Sequence, residues 1–428
     1  MSRSLLLGLM IYGLLLAGIG TVHGEFIALA LPLVAYLLLG YLMSPENIKL
    51  EANRHLSAER VSPNSDVEVT VIIKNLGSTL EDVLVEDRLP AGLTVRSGFS
   101  RHLLRLKSGD SYTFRYTVSG ARGAYVFQGL EARVHDPLAV SSSRIRVEAK
   151  ARLFVLPSVT RIRQVVIRPR RTRVYAGTIP ARAGGAGTDF FGVREYQPGD
   201  PPSAINWRTS ARHVDKFYAN EFQQERVADV GIILDGRLRT NEFASGHSLF
   251  EYSVQAAASL ADALLNQGNR VGLLLYASFL RWTFPGYGKI QRERILHALA
   301  NARTGESQVF ADLVHLPSRL FPPESQIVLV SPLTDDDLMP LVQLRAQGYE
   351  VMVVSPNPVR FELSYLPSNE INQLAGRVVH MERILLLQKM GRAGIHVLDW
   401  DITEPFDLFV KRRMGRMRAF AWLRTGGR

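Results

Sequence analysis

The sequence predicts a multidomain chain: a transmembrane helical hairpin, then an all-β sandwich, then a doubly wound α/β domain on a parallel sheet. Three observations predict it. Two apolar runs fill the first 43 residues, which carry only the charges of Arg3 and Glu25. Apolar and polar residues then alternate with a period of two through a stretch punctuated by turn residues. From Val227 onward, short apolar runs alternate with stretches of helical periodicity. At 428 residues the chain exceeds a single ordinary core.

The hairpin occupies residues 1–43. Ser4–Val22 and Phe26–Met43 each approach the roughly 20 apolar residues that carry a helix across the hydrocarbon core. Only His23, Gly24 and Glu25 separate them, so the link permits only a tight antiparallel turn. Arg3 precedes the hairpin and Lys49, Arg54 and Arg60 follow it, while the connection lacks Lys and Arg. The positive-inside bias places both ends, and the soluble domains, in the cytoplasm of a multi-pass cell-membrane protein. A cleaved signal peptide is the competing reading, and the second apolar run argues against it.

Residues 46–156 read as strands. Val67, Val69, Val71 and Ile73 alternate with mostly polar residues, and Tyr112, Phe114, Tyr116 and Val118 repeat the pattern. Turn signals at Asn75-Leu76-Gly77, Pro90-Ala91-Gly92 and Gly109-Asp110 bound the runs. Short strands at this spacing indicate a sandwich of immunoglobulin type. Residues 157–186 read as a basic linker. Arg161, Arg163, Arg168, Arg170, Arg171, Arg173 and Arg182 come without an acidic residue, and a glycine joint follows at 184–187. That joint is no phosphate-binding loop, because no Gly-Lys-Ser/Thr follows it.

Residues 187–226 are the most informative stretch. Val193-Arg194-Glu195-Tyr196, Pro198-Gly199-Asp200, Ile205-Asn206-Trp207, Ser210-Ala211-Arg212 and Glu225-Arg226 stand in an order that resembles the signature of the domain of unknown function 58 (DUF 58) family. The likeness extends to the hairpin, the β domain and a following α/β domain. One departure is Ser203-Ala204, where the family often carries an arginine ahead of Ile-Asn-Trp. Read physically, Arg194, Glu195, Asp200, Arg208, Arg212, Glu221 and Glu225 form an ion-pair network. Trp207 is expected to bury its ring and donate its N–H. Tyr196, Gly199, Asn206 and Arg226 belong to the same segment, which serves as a structural clamp or as a partner-binding surface.

Residues 227–405 carry the α/β domain, which the resemblance makes vWA-like and Rossmann-like. Asp229–Asp235 is a short apolar run suited to a central strand, and further strands are expected at Val271–Tyr276, Ile327–Ser331, Val351–Ser355 and Ile395–Leu398. Helical stretches fall around Val254–Leu265, Gln291–Ala302, Asp336–Gln347 and Glu370–Met390. A vWA metal-ion-dependent adhesion site resembles Asp-x-Ser-x-Ser. Here Asp235 is followed by Arg237 and Arg239 at the two serine positions, a degenerate metal site. Two guanidiniums repel a divalent cation and neutralise Asp235, so neither metal nor cofactor is expected. Residues 406–428 form a basic tail. In it Lys411, Arg412, Arg413, Arg416 and Arg418 interleave with Phe409, Met414, Met417, Phe420 and Trp422, as on a lipid-facing or packed last helix.

Composition narrows the function. The chain has no cysteine, which excludes disulfides, Cys-ligated zinc and thiol nucleophiles. The net charge of +11 suits anionic lipid, an acidic protein or nucleic acid. No HExxH, GxSxG or P-loop is present, and no catalytic residue is assigned. By resemblance, family members are associated with separate MoxR-type AAA+ ATPases. The expected function is a membrane-anchored interaction or adaptor protein, working with such an ATPase in assembly or maturation of other proteins. The alternatives are a carboxylate-dependent hydrolase at Glu195 and Asp200, and a basic-surface nucleic-acid binder, the latter the less favoured.

Overall fold

A computed structural model describes residues 3–42, 47–136, 142–163, 165–167, 173–213, 215–307, 309–310 and 312–413, with backbone alone over 173–189, 222–226 and at 3, 191 and 318. The chain divides into two compact units, Met1–Leu156 and Pro157–Arg428.

The first unit opens with helices α1 (Arg3–Thr21) and α2 (Gly24–Leu42). Both are long and apolar enough to cross a membrane. Val22 turns the chain between them at a φ of 56°. Gly18 permits their close approach, since a Cβ there would lie 2.8 Å from Ile27 Cγ1.

Among the described residues nine strands follow: β1 (Leu50–Leu56), β2 (Arg60–Val61), β3 (Val67–Asn75), β4 (Leu80–Asp87), β5 (Leu93–Gly98), β6 (Arg101–Leu106), β7 (Ser111–Gly120), β8 (Gly123–His135) and β9 (Ser142–Val155). They form a four-stranded sheet, β1-β3-β7-β5, and a five-stranded sheet, β2-β9-β8-β4-β6. Val67, Val69, Val71 and Ile73 of β3 share one core with Val83, Val85, Phe127, Leu130 and Val134 of the other sheet, so the two sheets face each other. The alternation in sequence is thus the inward and outward alternation of the pleat. An ion pair is sealed inside. Arg54 of β1 donates from Nε and Nη2 to Asp87 at 3.1 and 2.5 Å, and Tyr116 OH donates to Asp87 at 2.6 Å. Arg54 also donates to the Ala149 carbonyl and lies over the Phe127 ring.

In the second unit, β10 (Arg173–Glu195) pairs antiparallel with β11 (Tyr218–Val227) through an irregular register, and the single turn α3 (Trp207–Ser210) lies between them. This corrects the expectation of a linker ending in a glycine joint: residues 184–187 lie within β10.

The main sheet follows, built from β12 (Asp229–Asp235), α4 (Leu249–Asn266), β15 (Arg270–Tyr276), β16 (Leu280–Gly286), α5 (Gly288–Ala300), β17 (Gln326–Val330), α6 (Leu338–Ala346), β18 (Glu350–Pro356), α7 (Pro358–Tyr365), α8 (Glu370–Arg392) and β19 (His396–Trp400). A small ribbon of β13 (Phe243–Ala244) and β14 (His247–Ser248) precedes α4. The sheet order is β16-β15-β12-β17-β18-β19. Five strands run parallel, but β16 is antiparallel to β15 at the edge, which corrects the expected all-parallel sheet. One face buries Ile233, Leu274, Leu329 and Val353 under Leu341 and Leu344 of α6 and Leu386 and Met390 of α8. The alternate residues Ile232, Leu234, Leu273 and Val328 are equally buried. That places α4, which lies against β12, β15, β17 and β18, on the opposite face. Each such aliphatic side chain contributes about 1.5–3 kcal/mol of transfer free energy.

Past β19, the described start of the tail takes the packed-helix form of the two readings. Residues 406–413 are helical, with Phe406, Phe409 and Val410 buried and Phe406 4.6 Å from the Trp400 ring. Residues 414–428, including Met414, Arg416, Met417, Arg418, Phe420 and Trp422, lie outside the described residues.

Candidate functional site

In an open α/β sheet, ligands sit beyond the carboxyl ends of the parallel strands. Asp235 ends β12 at that edge and is fully buried. The guanidinium of Arg237, 2% exposed, lies against it. Arg237 donates from Nε to Asp235 Oδ1 at 2.9 Å and from Nη2 to Asp235 Oδ2 at 2.7 Å. Its far side donates to Asp337 Oδ1 and Oδ2 at 2.9 and 3.0 Å. One planar cation thus bridges two carboxylates by two forks, a geometry that guanidinium supports and ammonium does not.

The remaining acceptor sites are filled. Asp235 Oδ1 accepts the Arg237 backbone N–H at 3.0 Å, and Oδ2 accepts Ser331 Oγ–H at 2.6 Å and Thr240 Oγ1–H at 3.2 Å. Asp337 Oδ2 accepts the backbone N–H of Thr334 at 2.9 Å and its hydroxyl at 3.1 Å, a reciprocal cap on the turn that leads into α6. Burial pulls the Arg237 pKa down, but the hydrogen bonds and charges of Asp235 and Asp337 together outweigh it, and the net shift is upward. Beside the cluster, burial pushes the Tyr276 hydroxyl up to about 12.

The oxygens of Asp235, Thr240, Ser331 and Asp337 are of the type that a hard divalent cation takes. The Arg237 guanidinium stands among them. Arg239 does not share this role, which corrects the pairing of both arginines with Asp235. It turns outward to Asp312 at 2.5 Å and Asp336 at 3.5 Å. Among the described residues, no group of three His, Cys, Asp or Glu side chains is placed to hold a metal ion.

A second network lies at the neighbouring strand ends. Arg383 of α8 donates to Asp399 Oδ1 at 2.6 Å, to Ser355 Oγ at 2.9 Å and to the Pro332 carbonyl at 3.0 Å. Asn357 Nδ2 donates to Asp399 Oδ2 at 3.0 Å. Sequence reasoning missed Asp337, Arg383 and Asp399. Only Asp337 carried a local signal, the Thr-x-x-Asp spacing of Thr334 and Asp337.

The signature segment is locked by a different set. Arg194 of β10 grips Asp200 through Nη1 at 2.8 Å and Nη2 at 2.6 Å. The Gln197 N–H donates to Asp200 Oδ2 at 2.9 Å, and Tyr196 OH donates to the Asp200 carbonyl at 2.7 Å. Gly199 supplies the turn with a φ of 109°. The Arg194 hydrogen bond holds the Asp200 carboxyl below its usual range and, reciprocally, raises the arginine. Glu195 is tied separately to Lys216 at 3.0 Å on the surface. The two carboxylates proposed for hydrolysis therefore each serve their own cation.

Asn206 caps α3 by accepting the Thr209 N–H at 3.0 Å and reaches across to Asn220 of β11 at 2.7 Å. Trp207 does not bury its ring, contrary to expectation: it is 65% exposed, edge-on to Phe217 with ring centroids 6.2 Å apart. The cause is local. Asn206 and Ser210 make the bonds to β11, and a helix of one turn has no second layer to cover Trp207. Arg212 is exposed. The side chains of Glu225 and Arg226 lie outside the described residues, as do those of Arg173 and Arg182 and all of Arg168, Arg170 and Arg171.

Residues 192–361 match the family described as Protein of unknown function DUF58. The "Uncharacterized protein YeaD" of Bacillus subtilis (strain 168) is 27% identical over 228 residues. That alignment covers 52% of this chain and 55% of the relative, so the chain spans about half of that protein's length. Among solved structures, the CARDB domain of the PF1109 protein from Pyrococcus furiosus is similar over 26% of this chain and 90% of its own, at 16% identity and a TM-score of 0.19. A FixG-related protein from Vibrio parahaemolyticus is similar over 25% and 95%, at 4% identity and a TM-score of 0.18.

Proposed function

We propose that this chain is a membrane-anchored interaction protein of vWA-like architecture, an adaptor whose docking surface is the Trp207–Phe217 edge of the signature segment. The observation that carries the proposal is Trp207. A large aromatic ring stands exposed on a segment that ion pairs and caps hold rigid, as expected of an interface anchor. The vWA-like reading draws support from the strand order β16-β15-β12-β17-β18-β19 and from helices on both faces. The anchor is the α1–α2 hairpin, and the basic residues flanking it favour soluble units on the cytoplasmic side of a cell membrane. The partner class is the one that the sequence resemblance implies, a separate MoxR-type AAA+ ATPase acting with this chain on other proteins.

The cluster around Asp235 fits this reading. The strand edge where such a sheet would hold a cation carries the Arg237 ion pairs instead. Asp200 and Glu195 are each held by their own cation, so neither stands as the free carboxylate base that hydrolysis needs. Affinity capture of the tagged full chain from detergent-solubilised membranes tests the proposal. The wild type is expected to enrich an AAA+ ATPase, and Trp207→Ala to weaken that capture by about 30-fold, the effect of losing an anchor of roughly 2 kcal/mol. Failure of the wild type to enrich any AAA+ ATPase, or equal capture by Trp207→Ala, overturns it.

A further inference from the structure

Helix α8 is used in an unusual way. Gly376, Arg383 and Met390, spaced by seven residues, are buried against the chain's own second unit. At Gly376 the packing is tight enough that a Cβ would lie 2.8 Å from Leu363 Cδ1. On the other side, Ile371, Leu374, Val378, Met381 and Leu385 are between 57% and 76% exposed. Their spacing of three, four, three and four is the a/d seam of a coiled coil, on the side of the helix away from its own core. Such a stripe fits the groove of a second helix.

We propose that α8 pairs with α8 of a second copy of this chain, parallel and in register, as a short two-helix coiled coil. The flanking charges choose this occupant and this direction. Arg377 and Glu382 border the seam at g and e, the positions that meet across a parallel pair. In register, Arg377 of each copy faces Glu382 of the partner subunit, twice by symmetry. Neither residue has an ion partner among the described residues. An antiparallel pair with the same apolar layers would place Arg377 against an isoleucine and Glu382 against an alanine, and would gain nothing from either. A lipid surface would prefer cations alone at the border, and Glu382 lies there. The helix is already ordered by its packing on β19, so pairing does not bear the nucleation cost that makes isolated short coiled coils marginal. The inference is independent of the adaptor reading.

The chain contains no cysteine, so single cysteines report contacts without background. In the full chain in detergent, mild oxidation of Val378→Cys or Met381→Cys is expected to give a disulfide-linked dimer. Gln373→Cys, exposed on the same helix but off the seam, is expected to give about tenfold less. Arg377→Glu should lower the seam cross-link by roughly tenfold, and adding Glu382→Arg should restore it, as a direct charge pair requires. All these positions are exposed, so folding is preserved. Absence of a seam-specific cross-link overturns the proposal. So does a link only between Val378→Cys and Met381→Cys copies, which marks the antiparallel pair, or failure of the double reversal to restore the yield.

Discussion

Arg237→Met should destabilise the second unit by about 3–5 kcal/mol, the cost of removing one partner from a buried ion cluster. The methionine fills much of the space of the arginine stem but leaves Asp235 and Asp337, both fully buried, without their shared counter-ion. The hydroxyls of Ser331 and Thr240 still donate to Asp235, and the Thr334 N–H still donates to Asp337, so neither carboxylate is stripped of hydrogen bonds. What is lost is the positive charge, at a site where water does not replace it. Chemical denaturation of the full chain, with hydrogen exchange along β12 to assign the transition, measures the effect. A loss below about 1 kcal/mol would mean that the cluster is relaxed rather than tightly coupled.

Arg237→Ser separates a structural cation from a merely space-filling one. It leaves a small hydroxyl among Asp235, Ser331, Thr240 and Asp337, an oxygen set that suits Mg²⁺. Without divalent ions the variant should be as weak as Arg237→Met. With Mg²⁺ at roughly 100 times its dissociation constant it should regain about 2.7 kcal/mol, while the wild type stays indifferent to the ion. Magnesium stabilisation of the wild type to the same extent would place a cation beside Arg237 and refute the substitution of one for the other.

The parts of this site differ in how far the sequence discloses them. Asp235 was legible because it closes a run of seven residues, Asp229–Asp235, that is apolar between its two ends and buried throughout. Arg237 follows from it by local count. Asp337 is 100 residues further on, and its arrival beside Arg237 depends on the pairing of β12 with β17, which no local pattern encodes. The pairing of Arg383 with Asp399 depends likewise on where α8 crosses the sheet. Strand β16 escaped notice because Pro285 and Gly286 make Leu280–Gly286 read as a loop. An edge strand tolerates both, since one side of its ladder is free. In β10 the glycines suggested a joint, yet pairing with β11 imposes a strand where propensity opposes one. The hairpin and the sandwich were legible for the opposite reason. Their signals are periodicities within single segments, and β3 buries alternate residues as its pattern implies. Trp207 shows the limit of composition: an aromatic among charges suggests a covered ring, and only the shortness of α3 reveals that nothing covers it.

Arg54→Met is expected to cost the first unit a similar 3–5 kcal/mol, and here the pH dependence identifies the cause. Burial raises the Asp87 carboxyl above its ordinary value of 3.8, against the pull of Arg54 and the Tyr116 hydrogen bond. A group whose folded pKa is raised contributes stability that is fully present below the unfolded pKa and lost as pH rises through the folded one. Asp87 therefore already favours the folded sandwich in acid relative to neutral pH. Removing Arg54 takes away the largest lowering influence, so the folded pKa climbs further and the window in which stability is lost extends upward. The difference in unfolding free energy between Arg54→Met and wild type should accordingly be smallest in acid, below the ordinary carboxylate pKa, and grow as pH rises through the raised folded pKa. Adding Asp87→Asn to Arg54→Met removes the titrating group, and should flatten that difference and recover much of the loss at neutral pH. A difference independent of pH would assign the cost to the lost contact of Arg54 with the Phe127 ring and the Ala149 carbonyl rather than to an uncompensated charge.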